Sequence, residues 1–163
     1  MGSGLKTLLE SLGASIVIEG GQTMNPSTQD ITDAIAKANA DKVIILPNNK
    51  NIKMAADQAA ELAEGNVAVI PTKTIPQGIS ALLAFHPEAD LETNSKVMEE
   101  ASKQVKTGQI TYAVRDTQIE GITIEKGNFM GIEDGTIKAT HSDKTETVKL
   151  LLKELIKEDD EIL

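Results

Sequence analysis

Three clusters of hydroxyls, amides and lysines recur in the first half of the chain. Each lies between an apolar run and a helical pattern. The first is Glu19-Gly-Gly-Gln-Thr-Met-Asn-Pro-Ser-Thr28, which offers Gln22, Thr23, Asn25, Ser27 and Thr28. The second offers Asn48, Asn49, Lys50 and Asn51, and the third Thr72, Lys73, Thr74 and Gln77. Helix N-termini present unpaired N–H groups and the positive end of the helix dipole, so each cluster suits a carboxylate or phosphate. Lys50 and Lys73 add positive charge. Arg115 is the one arginine beside 15 lysines, and its guanidinium could clamp a carboxylate. A plainer reading stands beside this one. Asn, Ser and Thr are also what helix caps require. Arg115 could equally pair with Asp116 or another neighbour.

Several chemistries lack their residues. No Walker spacing, dinucleotide-binding glycine pattern or nucleophile elbow occurs, and Gly20-Gly21 alone is weak. His86 precedes Pro87 at a helix end, and His141 precedes a helix cap; so far apart in sequence, they make no metal site. With no cysteine there is no disulfide and no thiolate site. A net charge of −9 and three aromatic residues, Tyr112, Phe85 and Phe129, argue against nucleic acid. No apolar run approaches the roughly 18 residues of a membrane span. The N-terminus lacks a signal-peptide pattern. A cytoplasmic protein is expected. No convincing catalytic set is present, so enzymatic activity of this chain by itself is not expected.

The elements that would position these clusters follow from the hydrophobic pattern. Leu5–Leu12 reads as a short amphipathic helix closed by Gly13. Residues 15–19 read as a first strand. Asn25 then serves as N-cap, with Pro26 at the first helical position. Strands at 42–46 and 66–70 follow, each leading through a polar loop into a helix. Short, continuous apolar strands indicate a parallel sheet covered on both faces. Three strand-loop-helix units would place all three loops at the carboxyl edge of that sheet. A further helix runs from Asp90 to about Lys106. Beyond Gly108 the pattern becomes an antiparallel β meander. Its strands are Ile110–Val114, Ile122–Ile124, Phe129–Ile132 and Thr136–Ala139, with turn glycines at 121, 127, 131 and 135. Asp134-Gly135 marks a tight hairpin. Asp143 and Glu146 cap a last helix. The fold class is therefore α/β: a parallel sheet from three strand-loop-helix units, then an antiparallel meander and a final helix. One domain is expected over residues 5–163, with a lobe at about 5–106 and another at about 108–163. The acidic run Glu158-Asp159-Asp160-Glu161 before Ile162-Leu163 suggests a fragment of a longer multidomain protein.

Four stretches carry a family resemblance: Ile18–Thr28, Ile45–Asn51, Val69–Gly78 and Thr111–Thr117. In this order they resemble the C-terminal region of bacterial dihydroxyacetone-kinase-like proteins of the fatty acid kinase A family. The resemblance covers about residues 5–163. It implies a DegV-like fold and a place in lipid metabolism. It also implies an N-terminal nucleotide-binding domain of the same chain, which would use ATP and magnesium. The Asp-rich nucleotide site and the family's central Cys/His motif are not in this sequence, so no cofactor is expected here. The partner implied is a DegV-like protein that presents a fatty acid. The leading expectation is a non-catalytic domain that docks this partner. An alternative is a domain that binds a fatty acid or phosphorylated metabolite at the three-loop edge. A third is a phosphotransferase or phosphatase using Lys50, Lys73 and Arg115. The candidate anion ligands are Thr23, Asn25, Ser27, Thr28, Asn48, Asn49, Lys50, Thr72, Lys73, Thr74 and Arg115.

Overall fold

A computed structural model describes residues 3–20, 24–63, 65–119, 121–133 and 135–156. The chain divides into two compact units, residues 1–105 and 106–163.

The first unit is α/β. It begins with α1 (Ser3–Ser11) and α2 (Thr28–Ala38), followed by β1 (Lys42–Ile45) and α3 (Lys53–Leu62). Then come β2 (Asn66–Val69), α4 (Ile75–Leu83) and α5 (Leu91–Lys103). β1 and β2 pair in parallel, with Lys42 opposite Asn66 and Ile45 opposite Val69. Alternate strand residues serve opposite faces. Ile45 and Val69 pack with Ile31 of α2 and with Ala56 and Ala59 of α3. Ile44, Leu46 and Ile70 pack with Ala81 of α4 and Met98 of α5. The parallel pair is thus covered on both sides, as the continuous apolar runs require. Alanines allow α3 to lie close, since Ala56 and Ala59 are fully buried.

The first expected strand is not formed. Residues 16–20 carry no strand pairing, although Ile18 packs against the Ile31 cluster. An apolar run reports burial; it does not report whether the backbone finds a ladder partner. The N-cap also moves. Ser27, not Asn25, caps α2, because Asp30 sits three residues on and closes a capping box with it.

The second unit is an antiparallel sheet with one helix. Its strands are β3 (Gly108–Tyr112), β4 (Thr117–Ile119), β5 (Ile122–Ile124), β6 (Phe129–Glu133) and β7 (Thr136–His141). α6 (Lys144–Leu155) follows. The order is β3-β6-β7, with β4-β5 as a separate hairpin, so the expected simple meander is interrupted. β4 gives little sequence signal, being three residues long and mostly exposed. Gly131 is not a turn glycine. It lies in mid-strand, where an added Cβ would stand 3.0 Å from Leu151 Cβ. Gly108 is equally close-packed: its Cβ would meet Leu155 Cδ1 at 2.5 Å. These two glycines let α6 lie close to the sheet. A bulge in the β6–β7 pairing switches the facing of β7, so Ile137 joins Ala113 and Ile124 while Ala139 joins Leu151 and Leu155. The β6–β7 hairpin forms as expected, with Gly135 at φ 88°. Asp134 and the acidic run at 158–161 lie outside the described residues. Among the described residues no helix is long and apolar enough to cross a membrane.

Candidate functional site

The loops after β1 and β2 are tied together. The Asn48 N–H donates to Thr72 Oγ1 at 3.0 Å. Thr72 is 1% exposed, so this bond is shielded from water. Asn48 holds φ at 56°, in the left-handed region that Asn tolerates better than most residues. Its side chain lies directly against the Gly78 α-carbon, where any Cβ would collide with it.

Most polar groups of these loops are engaged locally. Thr74 caps α4 by accepting from the Gln77 N–H at 3.3 Å. Gln77 Oε1 accepts from the Lys73 N–H at 2.8 Å, one residue before the cap position. Pro76 has no N–H to offer. The first turn of α4 therefore leaves little for an anion. In the second loop Asn49 Oδ1 accepts from the Asn51 N–H at 2.9 Å. Lys50 and Lys73 present exposed side chains.

The N-terminus of α2 is filled by its own carboxylate. Asp30 accepts from the Ser27 N–H at 2.8 Å, and its N–H donates back to Ser27 Oγ at 3.2 Å. The Ser27 hydroxyl and backbone bonds hold the Asp30 carboxyl below its usual range. Thr28 Oγ1 donates to Gln58 Oε1 of α3 at 3.0 Å, and Asn25 is exposed. Thr23 and Gln22 lie outside the described residues.

The N-terminus of α3 differs. Its cap position is Ile52, with no side-chain cap bond. Lys50 stands just before it.

Arg115 belongs to the second unit, in the turn after β3. It is exposed and forms no ion pair among the described residues. Asp116 instead accepts from the Lys126 N–H at 2.7 Å, closing the loop back onto the strand end.

Two features carried no sequence signal. Asn94 in α5 is 3% exposed and brackets the His86 turn. Its Oδ1 accepts from the His86 N–H and its Nδ2 donates to the His86 carbonyl, both at 2.9 Å. A cleft of about 390 Å³ opens at the amino ends of β1 and β2, lined in part by Ile35, Asn39, Val43, Leu62 and Asn66. No group of three or more His, Cys, Asp or Glu among the described residues could hold a metal ion.

The sequence that folds in this way matches a family model along its whole length. Residues 1–163 fit the family of C-terminal domains described as FakA-like, that is, fatty acid kinase A-like, and the chain belongs to it. Protein YloV of Bacillus subtilis is 58% identical over all of this chain. Uncharacterized proteins of Staphylococcus saprophyticus and Staphylococcus aureus are each 50% identical over the same 163 residues. In each case the chain spans 30% of the relative's length.

Proposed function

We propose that this chain is a non-catalytic docking domain of a fatty-acid-kinase-type protein. It engages a DegV-like acyl-binding partner. Phosphoryl transfer, with ATP and magnesium, belongs to a separate N-terminal nucleotide-binding domain. A DegV-like fold and a cytoplasmic location belong to the same reading.

The observation that carries it is the self-capping of the polar edge. Backbone N–H groups at α2 and α4 that would grip a ligand are taken by Ser27, Thr74 and Gln77. What remains outward is a firm surface with Lys50 and Lys73 exposed on it. Such a surface suits complementary contact with a protein better than enclosure of a small molecule.

Calorimetry with the acyl-binding partner tests this. Binding is expected, and Lys50→Ala with Lys73→Ala should weaken it while leaving the melting temperature unchanged. No heat of binding at high micromolar concentration sinks the reading.

One observation favours an anion-binding alternative, confined to α3. Its N-terminus lacks a side-chain cap and is flanked by Lys50 and Lys53. Phosphate or a long-chain fatty acid bound there would raise the melting temperature by mass action, and Lys50→Ala would abolish the rise. No shift at saturating ligand excludes it.

A further inference from the structure

The two ends of the parallel pair are unlike. At the carboxyl ends the loop groups satisfy one another, as at Ser27, Thr74 and Gln77. The cleft of about 390 Å³ at the amino ends is different. Asn39, Asp41 and Asn66 line it, and none of these three side chains makes a hydrogen bond or ion pair among the described residues. Ile35 of α2, Val43 of β1 and Leu62 of α3 give it an apolar wall. Leu62 is 68% exposed, so a large apolar side chain stands there in water.

The fold sets the sign of the cleft. In a strand-helix-strand unit the helix ends where the next strand begins. α2 closes at Ala38 and α3 at Leu62, so the negative ends of both helix dipoles lie at this edge. Asp41 adds a formal negative charge and is the one charged residue among the described lining. Lys42 serves the other face of the sheet: it alternates away from Val43, and its charge reaches Asp90 ahead of α5. The Thr32 hydroxyl, also in the lining, already donates to the Thr28 carbonyl. Acceptors therefore outnumber donors in the cleft.

We propose that this cleft binds a small organic cation, an ammonium or guanidinium head carried on a short apolar body. The head takes the Asp41 carboxylate and the amide oxygens of Asn39 and Asn66. The body covers Ile35, Val43 and Leu62. A carboxylate or phosphate would meet Asp41 and two helix carboxyl ends and be repelled. A bare inorganic cation would leave the apolar wall in water. The volume falls within the ordinary range of small-molecule sites.

Titration of the 163-residue chain with hexylammonium, read by amide NMR shifts, tests the proposal. A molecule of about seven non-hydrogen atoms can reach a Kd of about 1 mM. Saturable shifts are expected at Val43, Leu62 and Asn66. Hexanoate, with the opposite charge, and ammonium chloride, without the apolar body, should leave these amides unmoved at the same concentration. Asp41→Asn should weaken hexylammonium binding about fivefold to tenfold through the lost charge-assisted bond. Should that variant melt early, Leu62→Lys replaces it, setting a like charge at an exposed position of the wall, with the same expectation. No saturable shift at tens of millimolar overturns the proposal. Shifts centred elsewhere, equal shifts with hexanoate or ammonium chloride, or an unchanged Kd in the folded variant also overturn it.

Discussion

Asn48 and Thr72 join two loops that are 24 residues apart, through one N–H···O bond of 3.0 Å. The bond fixes the edge on which docking is proposed. Thr72→Val keeps the shape and removes the acceptor, leaving the Asn48 N–H without a protein partner. A stability loss of about 1–3 kcal/mol is expected in urea unfolding. Thr72→Ser should recover most of it. A Val variant as stable as the parent would show that water replaces the hydroxyl without cost.

Gly78 reverses the usual sign of a helical glycine. Replacing a mid-helix glycine by alanine ordinarily stabilises by about 1 kcal/mol. Here the new methyl would collide with the Asn48 side chain. Gly78→Ala should therefore destabilise by about 1–3 kcal/mol, as overpacking does. Asn48→Gly removes the obstructing side chain and accepts the left-handed backbone. The double variant should melt above Gly78→Ala alone. Additive losses would show that the two positions do not meet.

Asn94 serves the backbone of another segment. Both polar ends of its amide bind the His86 peptide groups, and the side chain is buried. Asn94→Leu would leave the His86 N–H and C=O without these partners beside a buried apolar group. A loss of about 2–4 kcal/mol follows from two orphaned groups. Asn94→Asp supplies the acceptor and not the donor, so it should fall between. Equal stability for the Leu variant would contradict this account of the turn.

In the second unit the close approach of α6 rests on Gly131 and Gly108 against Leu151 and Leu155. Leu151 is 3% exposed. Leu151→Ala should cost about 2–5 kcal/mol through the cavity it leaves. Gly131→Val should cost a similar amount from the opposite cause. Combining the two should cost somewhat less than their sum, because the valine methyls can enter the space of Leu151 Cδ1 while the contact with the Cβ at position 151 remains. Urea unfolding of the three variants measures this, and strictly additive losses would show that the two side chains do not compete for one space.

The sequence showed the elements more clearly than their pairing. The Asp143–Glu146 cap and the helix after Asp90 are local, and each lies where its residues placed it. The strands at 42–45 and 66–69 were legible because both of their faces are apolar. Pairing is not local. Nothing in Ser15–Ile18 distinguishes an apolar segment that joins a ladder from one that only packs against the Ile31 cluster. β4 lacks an apolar alternation because most of it faces solvent. Gly131 has the composition of a turn, and only the position of Leu151 explains why a strand needs it. The site shows the same division. Its residues were visible, but whether each hydroxyl faces a ligand or its own helix was decided by partners such as Asp30 and Gln77.

Acid stability follows from two of these caps. Asp30 accepts from Ser27, and Asp90 accepts from the Thr93 N–H at 2.7 Å. The Ser27 side-chain bond is the main cause of the lowering at Asp30, and the Thr93 backbone bond at Asp90. Folding therefore favours the ionised form of both. A carboxyl whose pKa is depressed by folding contributes stability above its unfolded value, ordinarily 3.8 here. That contribution fades as pH falls through the lower, folded value. The unfolded chain binds protons first, so stability should decline with acid beginning near pH 3.8. Asp30→Asn and Asp90→Asn remove the titrating groups and keep a residue able to accept the cap bond. Each should lower the melting temperature modestly at neutral pH and reduce the slope of stability against pH on the acid side. Melting curves between neutral and strongly acidic pH decide it. A double variant with the parent's full acid slope would assign that slope to other carboxylates.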